Sequence, residues 1–141
     1  MFGLRISLVM FLVLAVSPSS NVNALDQKLC PFRAPVGEAG LRRLKATKRV
    51  QPVYPKESLR NAISGRVIVD ILVDEYGKVP EATVNQAPDE LTGQAVVDAA
   101  KQWEFKAPPK IQGRQICYSS TLSFRFEIVN GKGKVVDDPV N

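Results

Sequence analysis

The stretch Arg66-Val67-Ile68-Val69-Asp70-Ile71-Leu72-Val73 places Val67, Val69, Ile71 and Val73 on one parity. Side chains of a strand point alternately to its two faces, so this period of two demands an extended segment with one continuous apolar face that another layer must cover. The other parity, Arg66, Ile68, Asp70 and Leu72, is mixed and needs only partial shielding. A second alternation recurs late in the chain. Ile116, Tyr118, Leu122, Phe124, Phe126 and Ile128 share one parity, opposed by Cys117, Ser119, Thr121, Ser123, Arg125 and Glu127. Two such strands commit the chain to a sheet with one face built into a core.

The punctuation between them supplies the other elements. Asp74-Glu75-Tyr76-Gly77 reads as a turn, and Val79 to Gln86 as the returning strand of a hairpin. Pro80 places that strand at a sheet edge, where a missing amide leaves no partner unpaired. Pro55 suits the first position of a short helix carrying Leu59, Ala62 and Ile63 on one edge, ended by Gly65. Pro88-Asp89 opens a second helix, in which Val96, Ala99, Ala100 and Trp103 recur at helical spacing, with Trp103 as a core plug. The order helix, strand, strand, helix, strand predicts an α+β fold, a two-layer sandwich with a three-stranded antiparallel sheet and two helices on one face. The expected organisation is 1–24 as a signal peptide, 25–49 as an arm with at most one short helix, 50–129 as the folded domain and 130–141 as a flexible tail.

Composition narrows the chemistry. The 141 residues hold no histidine, two cysteines, and 19 Lys plus Arg against 14 Asp plus Glu. Without histidine the Ser-His-Asp and Cys-His arrangements and most zinc sites are excluded. The acidic pairs Asp74-Glu75, Asp89-Glu90 and Asp137-Asp138 are explained locally, as turn, helix start and tail. The expectation is a binding module that is not an enzyme and uses neither metal nor cofactor.

The N-terminus speaks to compartment. Arg5 precedes an apolar run from Ile6 to Val16, shorter than the roughly 20 residues a bilayer span requires. Val22-Asn23-Ala24 then offers a peptidase site, so export with cleavage after Ala24 is expected, the alternative being an uncleaved inner-membrane anchor. In an exported chain Cys30 and Cys117 favour a disulfide over two free thiols. Lys28-Leu29 ahead of Cys30 does not suit lipidation. Such a bond closes a loop of roughly 90 residues, for which chain entropy gives about 4.5 kcal/mol. Since Cys117 has the wrong parity for the core, the bond would strap the arm over the open sheet face and shield Ile68 and Leu72.

Five elements in order, Gln51-Pro52-Val53-Tyr54-Pro55, Gly65-Arg66-Val67, Asp74-Glu75-Tyr76-Gly77-Lys78-Val79, Trp103-Glu104-Phe105 and Phe124-Arg125-Phe126, resemble the C-terminal domain of TonB proteins from about Val50 to Ile128. The resemblance implies a periplasmic domain that binds a short extended segment at the N-terminus of outer-membrane transporters. That segment adds a strand beside the family's last strand. Carried to this chain, the peptide-binding residues would be Ser119, Thr121, Ser123, Arg125 and Glu127, flanked by Gln51 and Tyr54. Tyr54 also fits a second role, packing the approach to the first helix. TonB itself carries an anchoring helix with a functional histidine and a long Pro-rich linker. This chain shows neither histidine nor Pro-rich run, so the resemblance implies its binding function rather than force transmission.

A different partner is suggested by the basic stretch Arg42, Arg43, Lys45, Lys48 and Arg49, which suits cell wall or an anionic glycan in a structural envelope protein. Nucleic acid is not expected, because the aromatics sit at core spacing and do not interleave with these cations.

Overall fold

The computed structural model describes residues 33–35, 44–108, 110, 112–114 and 116–138. The expected signal peptide and cleavage site, Cys30, Arg42 and Arg43 lie outside the described residues.

Along the chain the elements are β1 (Arg33–Pro35), β2 (Ala46–Lys48), α1 (Lys56–Arg60), β3 (Gly65–Val73), β4 (Glu81–Gln86), α2 (Glu90–Ala100), β5 (Glu104–Phe105), β6 (Cys117–Val129) and β7 (Lys132–Asp137). The fold is α+β, as the patterning requires. Its main sheet has five strands, because β1 and β7 join the expected three: the order is β1-β6-β3-β4, with β7 also on β6. β2 and β5 form a separate two-stranded ribbon.

The alternation of β3 translates directly into burial. Val67, Val69 and Val73 are fully buried and Ile71 nearly so, together with Phe124 and Phe126 from β6 and Val96, Val97 and Ala100 from α2. Burying a side chain of this size contributes about 1.5–3 kcal/mol, so this layer is the main source of stability. Trp103 plugs the core just past α2. It stands edge-on to Phe124 at 6.2 Å and its indole N–H donates to the Val50 carbonyl at 2.8 Å.

Local chemistry fixes the helix ends. Asp89 caps α2, accepting the Thr92 amide at 2.9 Å and the hydroxyl of fully buried Ser58 at 2.6 Å, which ties α1 to α2. Burial alone would push the Asp89 carboxyl up, but the hydrogen bonds from Ser58 and Thr92 outweigh it and hold the group below its ordinary range. Pro55 is the residue before α1 rather than its first helical position, and Ala62 leaves the helix with φ 53°. In the β3–β4 connection Gly77 has φ 82°, and its carbonyl accepts the Phe105 amide at 2.7 Å. A Cβ there would lie 2.0 Å from the Phe105 oxygen, so glycine permits this close approach of the ribbon.

Among the described residues the arm contributes two strands, β1 and β2, and β1 lies in the plane of the sheet beside Cys117–Ser119. One expectation is corrected. Residues 132–137, expected in a flexible tail, form β7, because Asn130 and Gly131 both take positive φ (52° and 74°) and close a two-residue hairpin.

Candidate functional site

The candidate site is the side of β6 that faces away from β3. The Asp138 amide donates to the Ser123 carbonyl at 3.0 Å, so Ser123 turns its main chain to this outer side. In an antiparallel strand the residues bonding to one neighbour alternate with those bonding to the other. Thus Ser119, Thr121, Ser123, Arg125 and Glu127, the residues named from sequence, all present their backbone groups outward.

That edge is already occupied. β1 runs parallel to Cys117–Ser119, and β7 runs antiparallel to Phe124–Val129, with Arg125 opposite Val136 and Glu127 opposite Lys134. Between them only Ser120–Leu122, paired with β3 on the inner side, has no neighbour on the outer side among the described residues, and of these Thr121 alone turns its backbone outward. The free edge expected from Ser119 to Ile128 is therefore absent in this state of the chain. The sheet ends at β4 on the far side, and at β1 and β7 on this one.

Side chains converge on the C-terminal end of β7. Asp137 and Asp138 are adjacent, so strand geometry sends them to opposite faces. On the helix side Asp137 accepts from Gln51 at 3.4 Å and lies 3.9 Å from the Arg49 guanidinium, which also stands 5.3 Å from the Trp103 ring. On the open side the Asp138 carboxylate receives Arg66 Nε at 2.6 Å and Arg125 Nη2 at 2.9 Å. The hydrogen bond from Arg66, with the charges of both arginines, holds this carboxyl below its ordinary range against partial desolvation. Gln51 and Arg125 are thus brought together around one strand end.

The remaining named residues sort by position. Tyr54 lies under β7: its hydroxyl donates to the Ile63 carbonyl, its ring meets Phe126 edge-on at 5.1 Å, and burial followed by the Asp89 charge pushes its phenol up. Gly133 sits on that ring, where a Cβ would come within 2.6 Å of Tyr54 Cδ2. Tyr54 accordingly packs the approach to α1 and at the same time floors the candidate site. Thr121 donates its hydroxyl to Asp70 at 2.9 Å, in a network with Asn85 on the open face. Ser123 is buried and its hydroxyl bonds to no described residue, while Ser119 is exposed. Of the basic stretch, Lys45 is exposed, Lys48 lies 3.8 Å from Glu104, and Arg49 engages Asp137.

Cys117 is buried against Leu72 and is disulfide-bonded. The sequence holds one other cysteine, Cys30. Arg66, Gly133, Asp137 and Asp138 were missed as site residues, and Arg49 was named only as part of the basic stretch. The signal that would have found most of them is Asn130-Gly131, flanked by Ile128-Val129 and Val135-Val136, a strong short-range hairpin mark.

The described residues form a small α+β sandwich whose last long strand carries β1 and β7 on its outer side. Comparison with known proteins identifies the family. Residues 50–128 match the family described as the Gram-negative bacterial TonB protein C-terminal, and the chain belongs to that family. It is 27% identical over 81 residues to Protein TonB of Vibrio cholerae serotype O1, a match covering 57% of this chain and 33% of that protein. The chain thus spans about a third of the length of the relative it matches. The solution structure of the Pseudomonas aeruginosa TonB C-terminal domain superposes with a TM-score of 0.51 at 24% identity, over 67% of this chain and 93% of that one, a likeness of fold. Among the described residues no helix is long and apolar enough to cross a membrane.

Proposed function

We propose that this chain is a non-enzymatic binding module of the periplasm, exported with cleavage after Ala24, that receives an extended segment of an outer-membrane transporter or another envelope protein as an added strand along β6. The observation that carries the reading is that the outer side of β6, from Thr121 to Glu127, turns its main-chain donors and acceptors outward and holds an antiparallel strand there. Strand addition draws affinity from main-chain hydrogen bonds and selectivity from neighbouring side chains, so it needs no catalytic group. Family membership supports a role in transport across the envelope. A Cys30–Cys117 bond would hold β1 beside Cys117–Ser119 and limit the added strand to the part of the edge beyond it.

Titration of isotope-labelled mature protein with extended peptides from transporter N-termini tests this. Amide shifts should centre on Ser119–Ile128, and shifts confined to Glu81–Gln86, the open edge of β4, would overturn the assignment. Ser123→Pro removes an outward donor and should abolish binding while leaving the β3–β6 pairing intact. The alternative reading, cell wall or anionic glycan held by the basic segment, draws on exposed Lys45 with Arg42 and Arg43. It requires that changing Arg42, Arg43, Lys45 and Arg49 to Ala abolish co-sedimentation with purified cell wall.

A further inference from the structure

At the far end of the sheet, β4 carries no strand on its outer side among the described residues. The residues of β6 that alternate with the outward ones face β3, so their partners Val67, Val69, Ile71 and Val73 spend their main-chain groups on β6. Ile68, Asp70 and Leu72 are left for β4, and Thr83 and Glu81, opposite Asp70 and Leu72, bond inward to them. Ala82 and Val84 therefore turn their amides and carbonyls to the outside. Their side chains lie on the helix face, because they stand opposite Ile71 and Val69. Pro80 before the strand, a bulge at Asn85 and Pro88 after it confine this edge to a short stretch.

That stretch borders a groove of about 340 Å³ between β4 and α2, lined by Val84, Ala87, Asp89, Glu90, Gly93 and Gln94. Its floor is apolar. Val84 is 40% exposed, and a Cβ on Gly93 would come within 3.1 Å of Val84 Cγ2 and 3.2 Å of Ala87 Cβ, so the glycine brings α2 close to the strand without covering it. The rim is acidic. Residues 81–100 contain Glu81, Asp89, Glu90 and Asp98 but no lysine or arginine, in a chain with 19 Lys plus Arg against 14 Asp plus Glu. Hydrogen bonds from Ser58 and Thr92 keep the Asp89 carboxyl charged, and Glu90 is exposed. On the other face of the sheet Asp70, opposite Thr83, adds a further exposed carboxylate.

We propose that the β4 edge and this groove form a second docking site, separate from β6, for an extended basic segment of a partner protein. The segment pairs with Ala82 and Val84 through its main chain, as strand addition requires. A lysine or arginine beside Val84 lays its aliphatic stem over Val84, Ala87 and Gly93 and carries its charged head to Glu90, the arrangement that suits a long cationic side chain. The neighbouring residue of the segment points to the other face, where Asp70 and Glu81 favour a second cation. Charge decides the occupant. Two copies of this chain meeting β4 to β4 would bring their carboxylates together, which is how edge strands resist self-pairing. The site needs nothing from β6 or β7, so the two edges of the sheet can hold different partners at once.

The experiment uses the full mature chain, isotope-labelled, as wild type, Glu90→Lys and Val84→Pro. The probes are a short peptide alternating valine with lysine, its counterpart alternating valine with glutamate, and the lysine peptide with alternate amides N-methylated. Hydrogen exchange at Val67–Val73 verifies that each variant is folded, and Glu90→Lys, an exposed change, carries the test should Val84→Pro fail that check. The lysine peptide should shift the amides of Ala82, Val84 and Glu90–Gln94 and raise exchange protection at Ala82 and Val84. Glu90→Lys should weaken it about fivefold, Val84→Pro and N-methylation should remove the added protection, and the glutamate peptide should not bind. Shifts confined to Ser119–Ile128, equal binding of the lysine and glutamate peptides, or an unchanged affinity in Glu90→Lys overturns the proposal. So does tight binding of the N-methylated peptide, which would mean charge attraction without strand pairing. A peptide-free chain whose mass rises with concentration as Ala82 and Val84 become protected would assign the edge to a second copy and overturn it equally. Transporter N-terminal peptides should shift Ser119–Ile128 alike in wild type and Glu90→Lys. Their failure to bind either protein would count against the proposed function and leave the β4 site standing, whereas their loss in Glu90→Lys alone would show that the two sites are not separate.

Discussion

β3 and β7 lie on opposite sides of the same strand, β6, and both pair with it antiparallel. β3 buries Val67, Val69, Ile71 and Val73 beneath α2, whereas β7 buries no side chain fully. Main-chain hydrogen bonds are common to the two sides, and each contributes only about 1 kcal/mol net, so burial decides which neighbour is permanent. One side of β6 builds the domain. The other side is suited to exchange, because what holds it is polar and replaceable.

The sharpest test of that contrast is a change on the permanent side. Phe124→Ala removes a buried ring from the β3–β6 layer and should cost about 3–5 kcal/mol in chemical denaturation. A loss as small as that of a surface substitution would break the comparison. Gly77→Ala comes next, since the new Cβ meets the Phe105 carbonyl and φ is 82°; about 1–3 kcal/mol of destabilisation is expected.

Asp89→Ala should cost about 0.5–2 kcal/mol by uncapping α2, and it leaves Ser58 without its acceptor. Because the folded-state pKa of Asp89 is depressed, its contribution is complete above the unfolded-state value of about 3.9 and is lost as pH falls through the lower folded-state value. Asp89→Asn should therefore flatten the acid limb of the stability profile. Equal acid sensitivity in wild type and variant would show that Asp89 is not the group responsible.

The smallest effect should come from β7. Val135→Ala is expected to lower global stability by no more than about 1 kcal/mol, because the valine is half-buried, and Asp138→Asn should leave it nearly unchanged, because its ion pairs lie near the surface. The same substitutions should nevertheless abolish exchange protection at Lys132–Asp137. A global loss comparable to that of Phe124→Ala would place β7 among the permanent elements and end the distinction.

How much of this was legible follows the same division. The alternation of Val67 to Val73 and of Phe124 with Phe126 specified the sheet and the buried face, because burial writes a period into sequence; that the backbone of Ser123 turns outward was not legible, since side-chain parity does not say which neighbour the main chain faces. Asp89 and Gly77 were legible as local punctuation. β1 was not, since three residues carry too little pattern and their pairing is non-local. β7 was legible through Asn130-Gly131, but the surrounding glycines, lysines and aspartates resemble a tail. The arginine pair was hidden for a different reason: the adjacency of Arg66 and Arg125 depends on strand register, which composition does not disclose. The multiple use of Tyr54 likewise arises from tertiary contact with Phe126 and Gly133, not from its Tyr-Pro neighbourhood.

The central claim is that the outer side of β6 accepts a strand from another protein. Hydrogen exchange on mature protein, with and without a saturating transporter N-terminal peptide, addresses it directly. The expected result is that Phe124–Val129 amides stay protected, Thr121 and Ser123 gain protection, and Lys132–Asp137 lose theirs. Unchanged exchange along β6 and β7, with new protection at Glu81–Gln86 instead, would contradict it.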